Sequence, residues 1–278
     1  MGFFAKHKVD VQFHEVIGGH RAANMMLEGG ADLATASEVV AMFNSFKRQD
    51  FCILSTFVSS TNDVKILARV ESGISTLADL PGHRVGTVTG ASAHFFLDET
   101  LILAGIDPNK VHLQHVQPEK TIEMLRDGKV DAMVMWEPWV YLASQKLSSQ
   151  VTVIPHSKTY RETFNLLAKH ELSQKEQPRL RRLHRALIDA VNYMHKYPSK
   201  VQRMVAKRFN KDIAVIQATW RDLVFDVRLD QWLLNTLESQ GRWAISRGLV
   251  EADKSINYLS FVQPQILHHV AHHRVTLF

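Results

Sequence analysis

The sequence predicts an α/β protein built as two similar lobes, and three observations carry that prediction. Short apolar strands alternate with amphipathic helices through the first half of the chain, the pattern of mostly parallel sheets flanked by helices. Met26–Glu38, "MLEGGADLATASE", lines up without gaps on Leu125–Glu137, "LRDGKVDAMVMWE". Finally, 278 residues at 45% hydrophobic and 22% charged are enough for two compact units and are not the composition of a disordered chain.

The elements follow in order. Val9–Val16, "VDVQFHEV", alternates as a strand should. "HRAANMMLEGG" reads as a short helix closed by Gly29 and Gly30. "DLATA" is a strand, and "SEVVAMFNSF" a helix for which Ser37 is a plausible N-cap. "FCILSTFV" and "VKILARV" are buried strands. Pro81-Gly82 makes a turn, and a strand then runs into Gly86–Leu97, "GTVTGASAHFFL", which begins as a strand and ends as a helix. From Gln174 onward the pattern is helical, in four segments ending with "LDQWLLNTLESQGRWAISRGL".

Both copies of the internal echo run helix, Gly, Asp, apolar strand, then Glu at the strand's carboxyl end. Ligands of open α/β sheets bind outside those carboxyl ends. Two lobes facing each other would gather Ser37 and Glu38, Thr89 to Ser92, and Trp136 and Glu137 around one cleft.

The net charge of +5 admits nucleic acid or a small anion as partner. The densest basic run, "PRLRRLHRAL", interleaves Arg with Leu at helical spacing and reads as a solvated helix face, with no nucleic-acid motif beside it. No apolar run approaches the ~20 residues of a membrane span. The opening "MGFFAKHKVD" has no signal-peptide pattern. The single Cys52 allows no internal disulfide, and in its apolar run reads as a core residue rather than a nucleophile. "HHVAHHR" places histidines at i, i+4 but lacks the frame of a metal motif, so no metal is expected. No nucleophile elbow or acid–base pair is recognisable, so neither catalytic residues nor a cofactor is expected.

The turn inside "GTVTGASAHFFL" is small and hydroxylated. Thr89, Gly90, Ala91 and Ser92 would let a sulfonate, carboxylate or nitrate approach the free N–H groups of a helix start, with two hydroxyls as further donors. The alternative is that Thr89 or Ser92 simply caps the helix. His94 lies one turn on and either faces the cleft or packs beneath it.

The stretches "GFFAKHKVDVQF", "GGADLATASEVVAM", "LADLPGHRVGTVTGASAHFFL", "AGIDPNKVHLQHVQPEKTIEMLRDGKVDAMVMWEPW" and "FNLLAKHEL" together resemble the periplasmic substrate-binding proteins of ABC importers. The resemblance is to the NMT1/THI5-like branch that takes aliphatic sulfonates, taurine, nitrate and thiamine-pyrimidine precursors. It covers most of the chain. It implies the two-lobed periplasmic-binding-protein type II fold closing by hinge motion over a small anion, an ABC permease as partner, a monomer and a periplasmic location. It maps one lobe to 1–80 plus 164–278 and the other to 81–163. Family members begin with a strand and helix ahead of the "GFF" motif, so the first strand of the first lobe is expected to be missing from this chain.

The resemblance implies that the turn of Thr89 to Ser92 holds the anionic group. Trp136 in "MWEPWV" is the preferred apolar wall of the site. Glu137 either meets an ammonium on a zwitterionic ligand or serves as a first-turn carboxylate. Asn165 resembles a family position at the cleft floor. The tail "INYLSFVQPQILHHVAHHRVTLF" is similar to the ends of ligand-sensing domains of signalling proteins, the alternative function. A relative of the family, the fungal-type thiamine pyrimidine synthase, is an enzyme with a cysteine-rich segment that a chain with only Cys52 does not match.

Overall fold

The computed structural model describes residues 2–254 and 256–277. The chain divides into two compact units, Met1–Ser59 with Glu162–Val201 and Val224–Phe278, and Ser60–Arg161 with Gln202–Leu223. The elements in chain order are α1 (Phe3–Lys6), α2 (Gly19–Leu27), β1 (Leu33–Ser37), α3 (Glu38–Ser45) and β2 (Phe51–Ser60). There follow β3 (Val64–Arg69), β4 (Arg84–Thr87), α4 (Ser92–Leu103), β5 (His112–His115), α5 (Thr121–Arg126), β6 (Ala132–Trp136), α6 (Trp139–Leu147) and β7 (Val151–Ile154). The remainder is β8 (Glu162–Lys169), α7 (His170–Lys175), α8 (Gln177–Lys196), α9 (Pro198–Phe209), α10 (Ile213–Trp220), β9 (Val224–Asp230), α11 (Gln231–Ser246), α12 (Pro264–Ala271) and β10 (Val275–Thr276).

The first unit carries a sheet of order β1-β8-β2-β9-β10. β1 runs antiparallel to β8, from Leu33 opposite Ala168 to Ser37 opposite Phe164. β2 is antiparallel to β9, with a register shift between Thr56 and Val58. One face packs on α8 and α12 through Cys52, Leu54, Leu166, Leu180, Leu183 and Ile266. Burying each such Leu or Ile stabilises the unit by about 1.5–3 kcal/mol relative to leaving it exposed. The chain's tail belongs to this core, since Tyr258, Phe261, Ile266 and Leu267 are all buried.

The second unit's sheet has the order β5-β4-β6-β3-β7. β4 is parallel to both β5 and β6, so the three deliver their carboxyl ends to one edge. Their core is built from Leu67, Val116, Leu125, Met133, Met135 and Val140.

Four sequence expectations are corrected. β4 pairs in parallel with β5 and β6, and β10 with β9, whereas β1–β8, β2–β9, β3–β6 and β3–β7 are antiparallel, so both sheets are mixed rather than mostly parallel. The unit boundary falls at Ser59/Ser60 rather than Leu80, because β3 pairs with β6 and β7. Val9–Val16 alternates but forms no strand: no ladder partner is provided, and Phe13 stands 70% exposed. Leu229 and Asp230 end β9, and Asp230 caps α11 by accepting from Leu233 N–H at 3.3 Å, so the helix starts at Gln231.

The punctuation that the echo requires is present. Gly29 ends α2 with φ +87°, the left-handed conformation that favours glycine, and Gly30 N–H closes on Met25 O at 2.8 Å. No helix among the described residues is long and apolar enough to cross a membrane.

Candidate functional site

The turn from Val88 to Ser92 leaves the sheet at the carboxyl end of β4, between the ends of β5 and β6. Below it, Thr87 is fully buried and its hydroxyl donates to Val134 O at 3.0 Å, clamping β4 to β6. Gly90 takes φ +74°, a conformation that a β-branched residue would enter only with strain. Ala91 is the N-cap of α4, and no side chain caps the helix. The capping alternative for Thr89 and Ser92 is therefore not realised. Ser92 is 5% exposed, and Thr89 stands in solvent.

Two histidines occupy the amides of this turn. Thr89 N–H points at His115 Nδ1 at 3.3 Å, and the Thr89 hydroxyl lies 2.8 Å from the same nitrogen. Gly90 N–H points at His94 Nδ1 at 3.2 Å. An N–H directed at a ring nitrogen makes that nitrogen the acceptor, so the proton of a neutral ring sits on Nε2. On His94 that Nε2 lies 3.6 Å from Asp98 Oδ2; His115 Nε2 lies 3.1 Å from Gln117 Nε2, and a proton there would need the Gln117 amide turned to present its oxygen. His94 is 5% exposed, with its ring beneath the Gly90 N–H. Along α4, the N–H groups of His94 and Phe95 fold back onto Ala91 O. Those of Ser92 and Ala93 belong to the first turn, which has no intrahelical acceptor.

At the end of the neighbouring β6, Trp136 is half-buried and, with Trp139, packs against the unit's core cluster. Glu137 does not offer its carboxylate outward. Its Oε1 meets Lys65 Nζ at 2.5 Å, and its Oε2 accepts Tyr141 N–H at 2.9 Å, holding the start of α6. Lys65 also reaches Asp222 at 2.8 Å. Burial pulls the Lys65 pKa down, but the hydrogen bonds to Asp222 and Glu137 outweigh it and the net shift is upward. Of the two roles considered for Glu137, the structural one is occupied.

Ser37, Glu38 and Asn165 form a second group, in the first unit. Ser37 is half-buried and precedes α3 without a side-chain capping bond. Glu38 is 0% exposed: its Oε2 accepts Thr163 N–H at 2.6 Å and the Thr163 hydroxyl at 2.9 Å, and its Oε1 accepts Gln240 Nε2 at 3.0 Å. Asn165, also 0% exposed, accepts the Thr56 hydroxyl at 2.6 Å and donates to the Thr163 hydroxyl oxygen at 3.0 Å. These two side chains tie α3, β2, β8 and α11 together. Sequence reasoning missed Thr56, Thr163, Gln240, Lys65 and His115. Only strand register brings His115 beside the turn, opposite Thr87.

The family model for NMT1/THI5-like proteins matches residues 1–201. The chain belongs to the NMT1/THI5-like family. Among curated relatives, an Escherichia coli (strain K12) protein provisionally named as an aliphatic sulfonates-binding protein is 27% identical over 146 residues, 51% of this chain and 45% of that one. A Brucella abortus (strain 2308) protein, provisionally named only as a binding protein, is 22% identical over 167 residues, 58% of this chain and 52% of its own. The chain spans about half the length of the curated relatives it matches.

Solved structures share the fold over nearly the whole chain. The periplasmic aliphatic sulphonate binding protein SsuA from Escherichia coli superposes with TM-score 0.80 at 18% identity, covering 93% of this chain and 91% of that one. The alkanesulfonate-binding protein SsuA from Xanthomonas axonopodis pv. citri, bound to MOPS, gives 0.78 at 18%, covering 94% and 91%. The desulfurization enzyme DSZB has the same fold, with TM-score 0.71 at 15% identity over 98% and 93%.

Nucleophile chemistry finds poor conditions in this chain. Burial pushes the Cys52 thiol up to about 11, against a partly opposing hydrogen bond with Ser173, and the side chain is 0% exposed. His184 Nε2 lies 3.2 Å from the Ser55 hydroxyl, a base beside an alcohol, but both residues are 0% exposed. Desolvation lowers the His184 pKa and keeps the ring neutral.

Proposed function

We propose that the chain is a substrate-binding protein that captures a small organic anion, an aliphatic sulfonate or close relative such as taurine, for an ABC importer. It releases the ligand unchanged and works in the periplasm. The observation that carries the reading is the uncapped turn of Thr89 to Ser92, whose amides rest on the ring nitrogens of His115 and His94. Those nitrogens stand where the oxygens of an anionic group would otherwise accept. A sulfonate brings three acceptors to a place where backbone N–H groups and the helix dipole both favour negative charge. Family membership and the names of the relatives support the ligand class and the transport role. The environments of Cys52 and His184 support binding over turnover.

Calorimetric titration with methanesulfonate, taurine, nitrate and a hydroxymethylpyrimidine tests the proposal. A sulfonate is expected to bind, and Gly90→Val, which strains the left-handed turn, is expected to weaken it at least about ten-fold. A panel with no binder, or a Gly90→Val protein that binds as well as the parent, would refute the site.

A further inference from the structure

The charge of this protein is concentrated in one place. Residues 177–211, which cover α8 and α9, hold ten Lys and Arg and a single acid, Asp189. The rest of the chain then has twenty-three Lys and Arg against twenty-seven Asp and Glu, so the whole positive balance resides in this segment. Asp189 is itself engaged, with Lys6 at 2.7 Å and His7 at 2.9 Å. Between Asp189 and Asp212 there is no acidic residue at all.

On α9 the cations share one face. Lys200, Arg203, Met204, Lys207 and Arg208 recur at i, i+3, i+4, i+7 and i+8, and all five are exposed. The opposite face carries Val201, Val205 and Ala206, which are half-buried or buried. Met204, 44% exposed, sits among the cations, and Tyr197, 42% exposed and one turn before Lys200, continues that face with its ring 4.7 Å from that of Tyr193. Apolar surface is thus interleaved with the charge on this face.

We propose that α9 is a docking surface for an anionic lipid bilayer. Lys and Arg on a helix lying along a membrane gain from the negative surface potential, while large apolar side chains between them enter the headgroup region. The face offers both. An acidic protein partner would use the charge alone and leave the exposed Met204 at the centre of the face unused. Such docking would hold the protein reversibly at a membrane surface, and does not depend on which ligand it carries.

The test is flotation of the intact chain with vesicles of phosphatidylcholine alone and of phosphatidylcholine with about 30% phosphatidylglycerol. Binding is expected to the anionic vesicles only and to fade as salt is raised, since the Debye length shortens from about 10 Å at 0.1 M to about 3 Å at 1 M. Each cation removed should weaken binding about five-fold, equivalent to about 1 kcal/mol. Lys200→Glu/Arg203→Glu/Lys207→Glu should therefore lose it by more than about a hundred-fold. Circular dichroism should show that these exposed changes leave the fold intact. Met204→Trp should show a blue-shifted emission on anionic vesicles if the side chain enters the headgroup region. Failure to bind anionic vesicles at low salt would overturn the proposal. So would binding that survives the triple reversal, or an unshifted Met204→Trp emission. Binding to polyglutamate without binding to vesicles would overturn it in favour of an acidic protein partner.

Discussion

Glu38→Ala separates a structural carboxylate from a ligand contact, two roles that look alike in the sequence. In the fold Glu38 accepts from Thr163 N–H, the Thr163 hydroxyl and Gln240 Nε2 at 2.6, 2.9 and 3.0 Å with no exposure to water. Truncation leaves those donors without an acceptor at a site that water does not reach. A hydrogen bond to a charged group contributes about 1.5–3 kcal/mol, and a buried orphaned donor costs about 1–3 kcal/mol. The three bonds share two partners and are not additive. A total of about 4 kcal/mol is the expected loss, in the range found for breaking buried charged networks. Roughly 150 residues make up the unit that holds the network. At about 2–4 °C per kcal/mol for a unit of that size, its melting midpoint should fall by about 8–16 °C. Thermal melts followed by far-ultraviolet circular dichroism, with Glu38→Gln as the shape-preserving control, measure this. Glu38→Gln keeps one oxygen but turns an NH2 toward a donor, so about half the loss is expected. A melting midpoint within about 2 °C of the parent, together with lost sulfonate binding, would refute the reasoning and make Glu38 a ligand contact.

Three further outcomes follow from buried titratable groups. Burial raises the pKa of Glu99 above 4.5, so as pH rises through 4.5 the unfolded chain sheds its proton first and stability falls; Glu99→Gln should melt higher than the parent near pH 8 and alike near pH 4. His184 has its pKa lowered below 6.5 by desolvation, so the unfolded state gains a proton first as pH drops below 6.5; stability should decline on acidification, with a smaller slope in His184→Asn when urea midpoints are compared across pH. Cys52, raised to about 11 and fully buried, should resist a thiol reagent near pH 8 in the native protein and react fully in denaturant; native labelling at a denatured rate would show that the strand opens locally.

Local chemistry was legible in the sequence, and pairing was not. The glycine that ends α2, the echo that repeats helix, turn and strand, and the strand-to-helix turn at Thr89 are all set by neighbours a few residues apart. The two-unit plan was also readable, because the echo exposes it. The boundary at Ser59/Ser60 was not, since it depends on β3 choosing β6 and β7 as antiparallel partners across more than sixty residues. Val9–Val16 shows the reverse error: alternation is only a potential for burial, and without a ladder the segment forms no strand. The role of His115 was invisible for the same reason, as twenty-six residues separate it from Thr89 and only β4–β5 register joins them.

The two glutamates of the echo, expected at the ligand, both have internal partners in the fold. A carboxylate at a strand's carboxyl end sits among backbone donors, and both copies use it there: Glu38 on Thr163 N–H, and Glu137 on Tyr141 N–H. Glu137 holds a donor of its own turn, whereas Glu38 reaches across to β8 and α11 and leaves the start of α3 without a side-chain cap. The turn after β4 carries no carboxylate and no side-chain cap, and two of its amides rest on imidazole nitrogens instead. A resident carboxylate would repel an incoming anion and compete for its donors, whereas an imidazole nitrogen does neither as strongly. Of these three strand-end turns, the one after β4 is the one with no carboxylate to oppose an anion, and the proposed binding rests on that difference.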